Sequence, residues 1–286
     1  MKALLKKILP WHVRRTLAAA RLYYGKRKPP FRGVFADFGE IPVTPAWQAA
    51  RWSEASRAWA ALWRRQIGRP LPDSPQVSRA LLPMAAALLM KNPAQNSGGG
   101  AGDGTLRILD FGGAAGMDYA NLLAALGDPK RALRYHVVDT AGCCTAGADL
   151  WAGDARISFS PELPPADARF DIVYAAGALN LVADFRALLT RFAAYEPACV
   201  LITKTSIYDG PSFVRRQTNM GPGLDNPQWA LGLGDLVATM NGLGYELTYR
   251  GYAEDLHNVD NYPPERQAGR TVNLLFLRKD EARKAP

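Results

Sequence analysis

The run Leu106-Arg-Ile-Leu-Asp110-Phe-Gly112-Gly-Ala-Ala-Gly116 sets an acid and a turn of small residues between two regular segments. Leu106, Ile108 and Leu109 read as a short apolar strand, and Met117 to Leu126 as the helix after the turn. Small residues let a ligand approach the backbone, and a helix N-terminus offers free N–H donors. Asp110 narrows the ligand. A carboxylate there repels a dinucleotide pyrophosphate and favours a cationic amino-acid nucleoside. The expected binding residues are Asp110, Gly112, Gly113, Ala114 and Gly116. The alternative is a tight strand–helix turn in which Asp110 only caps nearby amides.

Arg134 to Asp139 reads as a second strand ending in an acid. In doubly wound sheets such an acid accepts hydrogen bonds from ribose hydroxyls, so Asp139 joins the candidates. Phe170 to Ala176 and Cys199 to Thr203 read as buried strands, and Asp184 to Tyr195 as a helix. Strands alternating with helices predict a parallel sheet covered on both faces. Ligands in such sheets bind beyond the carboxyl ends of the strands. Ala176, Asn180 and Lys204 fall at such ends.

The chain has 286 residues, 48% hydrophobic and 21% charged, as in an ordinary globular protein. Three cysteines, two of them adjacent (Cys143 and Cys144), make no disulfide framework, and no metal-ligand spacing is present, which predicts a reducing cytoplasm. The net charge of +9 is local. Ten of the 35 basic residues and none of the 26 acidic ones fall within residues 1–36. The rest of the chain is close to neutral, which argues against a nucleic-acid groove.

Four regions follow from this patterning: a basic amphipathic arm (1–30), a helical region with a Gly-rich linker (31–104), the ligand-binding domain (105–279) and a polar tail (280–286). In the arm, Leu4, Leu5, Ile8, Leu9 and Trp11 alternate with Lys6, Lys7, Arg14 and Arg15. Such a segment suits peripheral contact with an anionic membrane, or packing on its own domain or a partner. It is too short and too charged for a signal peptide. Phe31 to Phe35 reads as extended. Thr44-Pro45 reads as a helix start, with the helix running to about Gln66. Trp52, Trp59 and Trp63 share one face of it. A core-facing helix is the first expectation, and an aromatic acceptor platform of the kind used for sugars is the other. A helix from about Gln76 to Lys91 is expected to kink at Pro83.

On these residues the chain resembles the class I S-adenosylmethionine-dependent methyltransferases. More narrowly, it resembles bacterial methyltransferases associated with surface-polysaccharide biosynthesis. The resemblance runs from about Phe31 to Arg278. It rests on Phe31-Arg-Gly-Val-Phe35, Leu109 to Tyr119, Val137-Val-Asp139, Ala175 to Leu181 and Gly244 to Leu247. Two departures stand out. Ala114 stands where the family turn more often has glycine, which suits a negative φ. Thr203-Lys204-Thr205 replaces an aspartate–arginine–threonine triplet, and lysine lacks arginine's bidentate fork. The resemblance implies an α/β Rossmann-like seven-stranded methyltransferase sheet with an antiparallel last strand and an α-helical N-terminal extension. Tyr245 to Tyr249 and Thr271 to Leu277 fit the final pair. It also implies S-adenosyl-L-methionine as cofactor and a glycan or small-molecule acceptor.

Methyl transfer needs alignment more than any particular catalytic residue. If the acceptor is a hydroxyl, a base helps. His257, in a polar excursion over residues 251–269, is one candidate; Lys204, Asn180 and Tyr208 are others. Glu162 is placed to touch an adenine amine, or to be a solvated loop residue, and His136 reads as structural. The turn-rich stretch from Tyr208 to Leu236 reads as a lid over the acceptor, with Arg215 and Arg216 meeting an anionic group. Two other functions compete: a non-catalytic nucleoside-binding module, and an NAD-dependent sugar-modifying enzyme, which the acid before the turn disfavours.

Overall fold

A computed structural model describes residues 29–41, 46–70, 77–91, 104–127, 133–218 and 225–279. The basic arm up to residue 28, the Thr44-Pro45 helix start, most of the Gly-rich linker and the tail lie outside these residues.

Seven strands make the main sheet. They are β2 (Leu106–Phe111), β3 (Leu133–Val138), β4 (Ile157–Ser160), β5 (Ile172–Ala176), β6 (Cys199–Tyr208), β9 (Tyr245–Leu256) and β10 (Arg270–Arg278). Strands β4, β3, β2, β5 and β6 lie side by side in that order, all parallel. Antiparallel β10 follows β6, and β9 pairs antiparallel with β10. This is the α/β, Rossmann-like sheet that the resemblance implies, with its antiparallel last strand.

Alternation along each central strand builds two cores. Ile108, Ile172, Tyr174 and Leu201 face one side, and Leu109, Val173, Val200 and Ile202 face the other. Helices α2 (Leu81–Lys91) and α3 (Met117–Leu126) cover the first face. Helices α5 (Phe185–Ala194) and α6 (Leu233–Gly242) cover the second. Each buried Leu, Ile or Phe stabilises by about 1.5–3 kcal/mol. Asp184 caps α5 by accepting the Ala187 N–H at 2.9 Å. Helix α1 (Ala50–Arg64) packs on α3 and on α4 (Ala141–Leu150).

Strand β1 (Phe31–Phe35) pairs with β7 (Phe213–Gln217), which pairs with β8 (Asn226–Gly232). The far end of β6, at Ile207 and Tyr208, joins this group to the main sheet through Leu231 and Gly232. Main-chain pairing thus joins the N-terminal region to the strands of the main sheet.

Three expectations are corrected. The lid from Tyr208 to Leu236 holds β7, β8 and the start of α6, because β6 runs past Thr203 and offers a further edge. The excursion over residues 251–269 begins only after Leu256, where β9 ends. Pro83 does not kink its helix. It is the third residue of α2, in the first turn, where the missing N–H breaks no helical bond, and a 3-10 turn, Val77–Ala80, precedes it.

Candidate functional site

Chain order leaves β2 toward β3 on one side and returns to β5 on the other. Ligands collect at such a reversal, beyond the carboxyl ends of the strands. A cleft of about 520 Å³ lies there, lined by Gly112, Gly113, Ala114, Asp139, Ala176, Gly177 and Lys204 among others.

The turn is tightly specified. Gly112 has φ +74°, its N–H donates to the Val138 carbonyl at 2.8 Å, and a Cβ there would stand 2.3 Å from the Ala178 Cβ. A Cβ on Gly113 would stand 2.2 Å from Asp110 Oδ2. Gly116 has φ +82° and lies against Trp151, whose Nε1 donates to the Ala115 carbonyl at 3.0 Å. Ala114 has φ +53°, not the negative value its methyl prefers. This left-handed backbone costs about 1–3 kcal/mol. What holds it is Asp139, whose Oδ2 accepts the Ala114 N–H at 2.9 Å. Asp139 Oδ1 accepts from the Thr140 N–H at 2.7 Å. Oδ1 also accepts the Thr140 hydroxyl at 3.2 Å, so only Oδ2 keeps a lone pair, with capacity for one ligand hydroxyl at the cleft edge.

Asp110 lies beneath the turn, fully buried and away from the cleft surface. Its Oδ2 accepts the Tyr135 hydroxyl at 2.7 Å, and its Oδ1 has no partner. Burial raises its carboxyl well above the usual range, and Asp118 and Asp139 push the same way against the Tyr135 hydroxyl and Arg79. The acid that does line the cleft is Asp118, in the first turn of α3. It pairs with buried Arg79, yet its Oδ1 is buried and unpartnered. Burial opposes the charge on Arg79, but Asp118, Tyr174 and Asp110 outweigh it and raise the guanidinium. Sequence reasoning missed both residues. An acid in the first turn of a helix was a visible signal for Asp118. Arg79 had none, since its partner lies 39 positions away.

Lys204 lines the cleft from a bulge in β6, opposite the register shift between Val272 and Leu274 of β10. Its φ is +51°, its N–H donates to Asn273 Oδ1 at 3.1 Å, and its Nζ lies 3.4 Å from Asp255 Oδ2. A non-glycine residue strained in this way marks a place where side-chain direction matters.

Other candidates lie elsewhere. Asn180 is buried with Oδ1 unpartnered, outside the cleft lining. The Tyr208 hydroxyl donates to the Pro211 carbonyl, and its ring packs on Phe213. The His257 ring meets Phe31 edge-on at 5.1 Å; burial lowers its pKa, as do Arg215 and Lys204, against Asp255. Glu162 is exposed, while neighbouring Pro161 lines the cleft. His136 bridges Ser158 and Ser160 on β4. Arg215 meets no acceptor. It is fully buried on β7, donating to the Ala268 carbonyl, Ser206 Oγ and Gln228 Oε1 beneath the Phe31 ring. Arg216 pairs with Asp225.

The tryptophan stripe divides. Trp63 packs against the core, as first expected. Trp52 and Trp59, with Trp47 from the 3-10 turn Ala46–Gln48, line the cleft instead, and Trp59 is 49% exposed. Helix α1 packs on α3 and α4, and one flank of it lines the cleft.

No protein-family model matches the chain, and no curated protein is similar to it in sequence. Solved structures share its general chain arrangement. A 1,6-didemethyltoxoflavin-N1-methyltransferase of Burkholderia thailandensis, with bound 1,6-didemethyltoxoflavin and S-adenosylhomocysteine, is 18% identical with a TM-score of 0.45, over 84% of this chain and 94% of that one. The magnesium protoporphyrin IX methyltransferase of Synechocystis PCC 6803, with bound SAH, is 14% identical with a TM-score of 0.43, over 76% and 93%. The cyclase SpnF is 15% identical with a TM-score of 0.46, over 84% and 98%.

Proposed function

We propose that this protein is an S-adenosylmethionine-dependent methyltransferase acting on the hydroxyl of a glycan or small metabolite. The observation that carries the reading is the pairing of the residue 112–116 turn with Asp139 at the edge of the cleft. A diphosphate would meet the Asp139 carboxylate there, whereas a cation gains from it. Asp139 Oδ2 accepts from a ribose hydroxyl. Gly112 and Gly113, with no Cβ, let the amino-acid part lie on the backbone. When bound, S-adenosylmethionine supplies a methyl carbon on a cationic sulfur; an acceptor lone pair attacks it in line, the carbon–sulfur electron pair goes to sulfur, and the acceptor proton leaves to water. Lys204 orients the acceptor from the strand ends, and the tryptophans of α1 wall the cleft.

Calorimetry with S-adenosylmethionine, S-adenosylhomocysteine and NAD tests the reading. The first two are expected to bind and NAD to give no heat. Asp139→Ala is expected to weaken binding by about tenfold or more, the worth of one lost charge-assisted hydrogen bond. Binding of NAD alone, or an Asp139→Ala variant with unchanged affinity, would overturn it. Gly112→Val is a poor probe, because its side chain would strike Ala178 before any ligand.

A further inference from the structure

The cleft takes three tryptophans into its lining from the N-terminal helical region: Trp47, Trp52 and Trp59. Residues 52 and 59 are seven apart and share a helix face. The C-terminal end of α1 is anchored elsewhere, with Trp63 in the core, Arg64 over the Trp151 ring at 5.0 Å, and the Arg64 guanidinium donating to the Leu150 carbonyl at 2.5 Å. The helix is therefore held firmly while Trp59 stays half exposed at the cleft. The Trp52 and Trp59 rings meet edge to face, with centroids 6.2 Å apart at 88°. They form a corner. A large aromatic surface left open at a cleft marks a place for a ligand.

The polar groups decide which ligand. A pyranose stacked on tryptophan needs partners for several hydroxyls, and each one left unpaired costs about 1–3 kcal/mol. Among the described residues of the lining, both carboxylates are committed. Asp139 holds Ala114 and Thr140, and Asp118 is buried and pairs with Arg79. Lys204 pairs with Asp255. The rest of the lining is mostly apolar, with Phe111, Met117, Leu181 and Val182, and its Ser56 and Arg79 are buried. Such a surface gives a flat ring dispersion and edge-to-face contact but gives a sugar few hydrogen bonds.

We infer that the acceptor is a planar aromatic small molecule, seated in the Trp52–Trp59 corner with its nucleophilic heteroatom toward Lys204. This rests on the methyltransferase reading and narrows its acceptor away from glycans.

The test uses the full chain saturated with S-adenosylhomocysteine, with 2-naphthol and methyl glucoside as probes, followed by calorimetry and tryptophan fluorescence. 2-Naphthol is expected to bind and quench, and the glucoside to do neither. Trp59→Ala is expected to weaken naphthol by about tenfold or more while S-adenosylhomocysteine affinity stays within about twofold; Trp59→Phe, which keeps a ring, retains most of the naphthol affinity. Three results would overturn the inference: glucoside binding without naphthol binding, naphthol affinity unchanged in Trp59→Ala, or displacement of naphthol by S-adenosylhomocysteine. Naphthol binding that depends on Trp59, in a protein that binds no S-adenosylhomocysteine, would uphold the aromatic site and sink the methyltransferase reading.

Discussion

Gly113 and Ala114 are neighbours in one turn with opposite demands. Gly113 has no room for a Cβ, because Asp110 Oδ2, fixed by the Tyr135 hydroxyl, would lie 2.2 Å from it. Ala114 has room but the wrong φ, +53°. Gly113→Ala is therefore expected to cost about 1–3 kcal/mol of stability. Ala114→Gly gains from relieved strain what it loses in chain entropy and stays within about 1 kcal/mol of the parent. Urea unfolding of both variants checks this, and equal losses in the two would contradict the turn geometry. The glycine turn and the acid before it were visible in the sequence. That Asp110 would sit under the turn, with Asp118 facing the cleft, was not. Local pattern alone does not say that close packing will bury both carboxyls and bring only one of them to the cleft.

The same division holds for elements. Local pattern placed β2, α3 and α5 within about two residues, because apolar periodicity and a small-residue turn are short-range signals. It misjudged residues 208–236, where turn-forming residues suggested a loop. The strands there exist because β1, some 180 positions earlier, supplies their edge. Arg215 belongs to that misjudged segment. Its guanidinium joins β7 to β6, to β8 and to the Ala268 carbonyl at 2.8 Å. Arg215→Ala is expected to lower stability by about 3 kcal/mol or more, since several buried acceptors lose a charged donor together. The folded fraction is expected to bind S-adenosylhomocysteine as the parent does. A stable Arg215→Ala protein with impaired ligand binding would instead restore the arginine to the site.

For the molecule as a whole, two carboxyls set opposite pH trends. Asp154, after α4, accepts from Arg156 through its side chain and backbone, and from the Tyr119 hydroxyl, which holds its pKa at about 2. Its folded value lies below the unfolded one, so it stabilises the fold above about pH 4 and that contribution fades as pH falls toward 2. Asp110 is raised, so the folded form keeps a proton that the unfolded chain releases, and stability falls as pH climbs from about 4 through its folded value. The Tm deficit of Asp154→Asn against the parent is expected to be largest near neutrality and to shrink in acid. A deficit constant down to pH 2 would refute the assignment.

By itself the sequence determined the α/β alternation, the small-residue turn and the acids on either side of it. Those properties are encoded by neighbours in the chain. Only the tertiary structure decided that Arg79 neutralises Asp118, that Asp255 holds Lys204 and that Trp59 turns toward a cleft while Trp63 turns into the core. Each of these depends on which distant backbone the side chain meets, and no spacing along a single helix or strand records that.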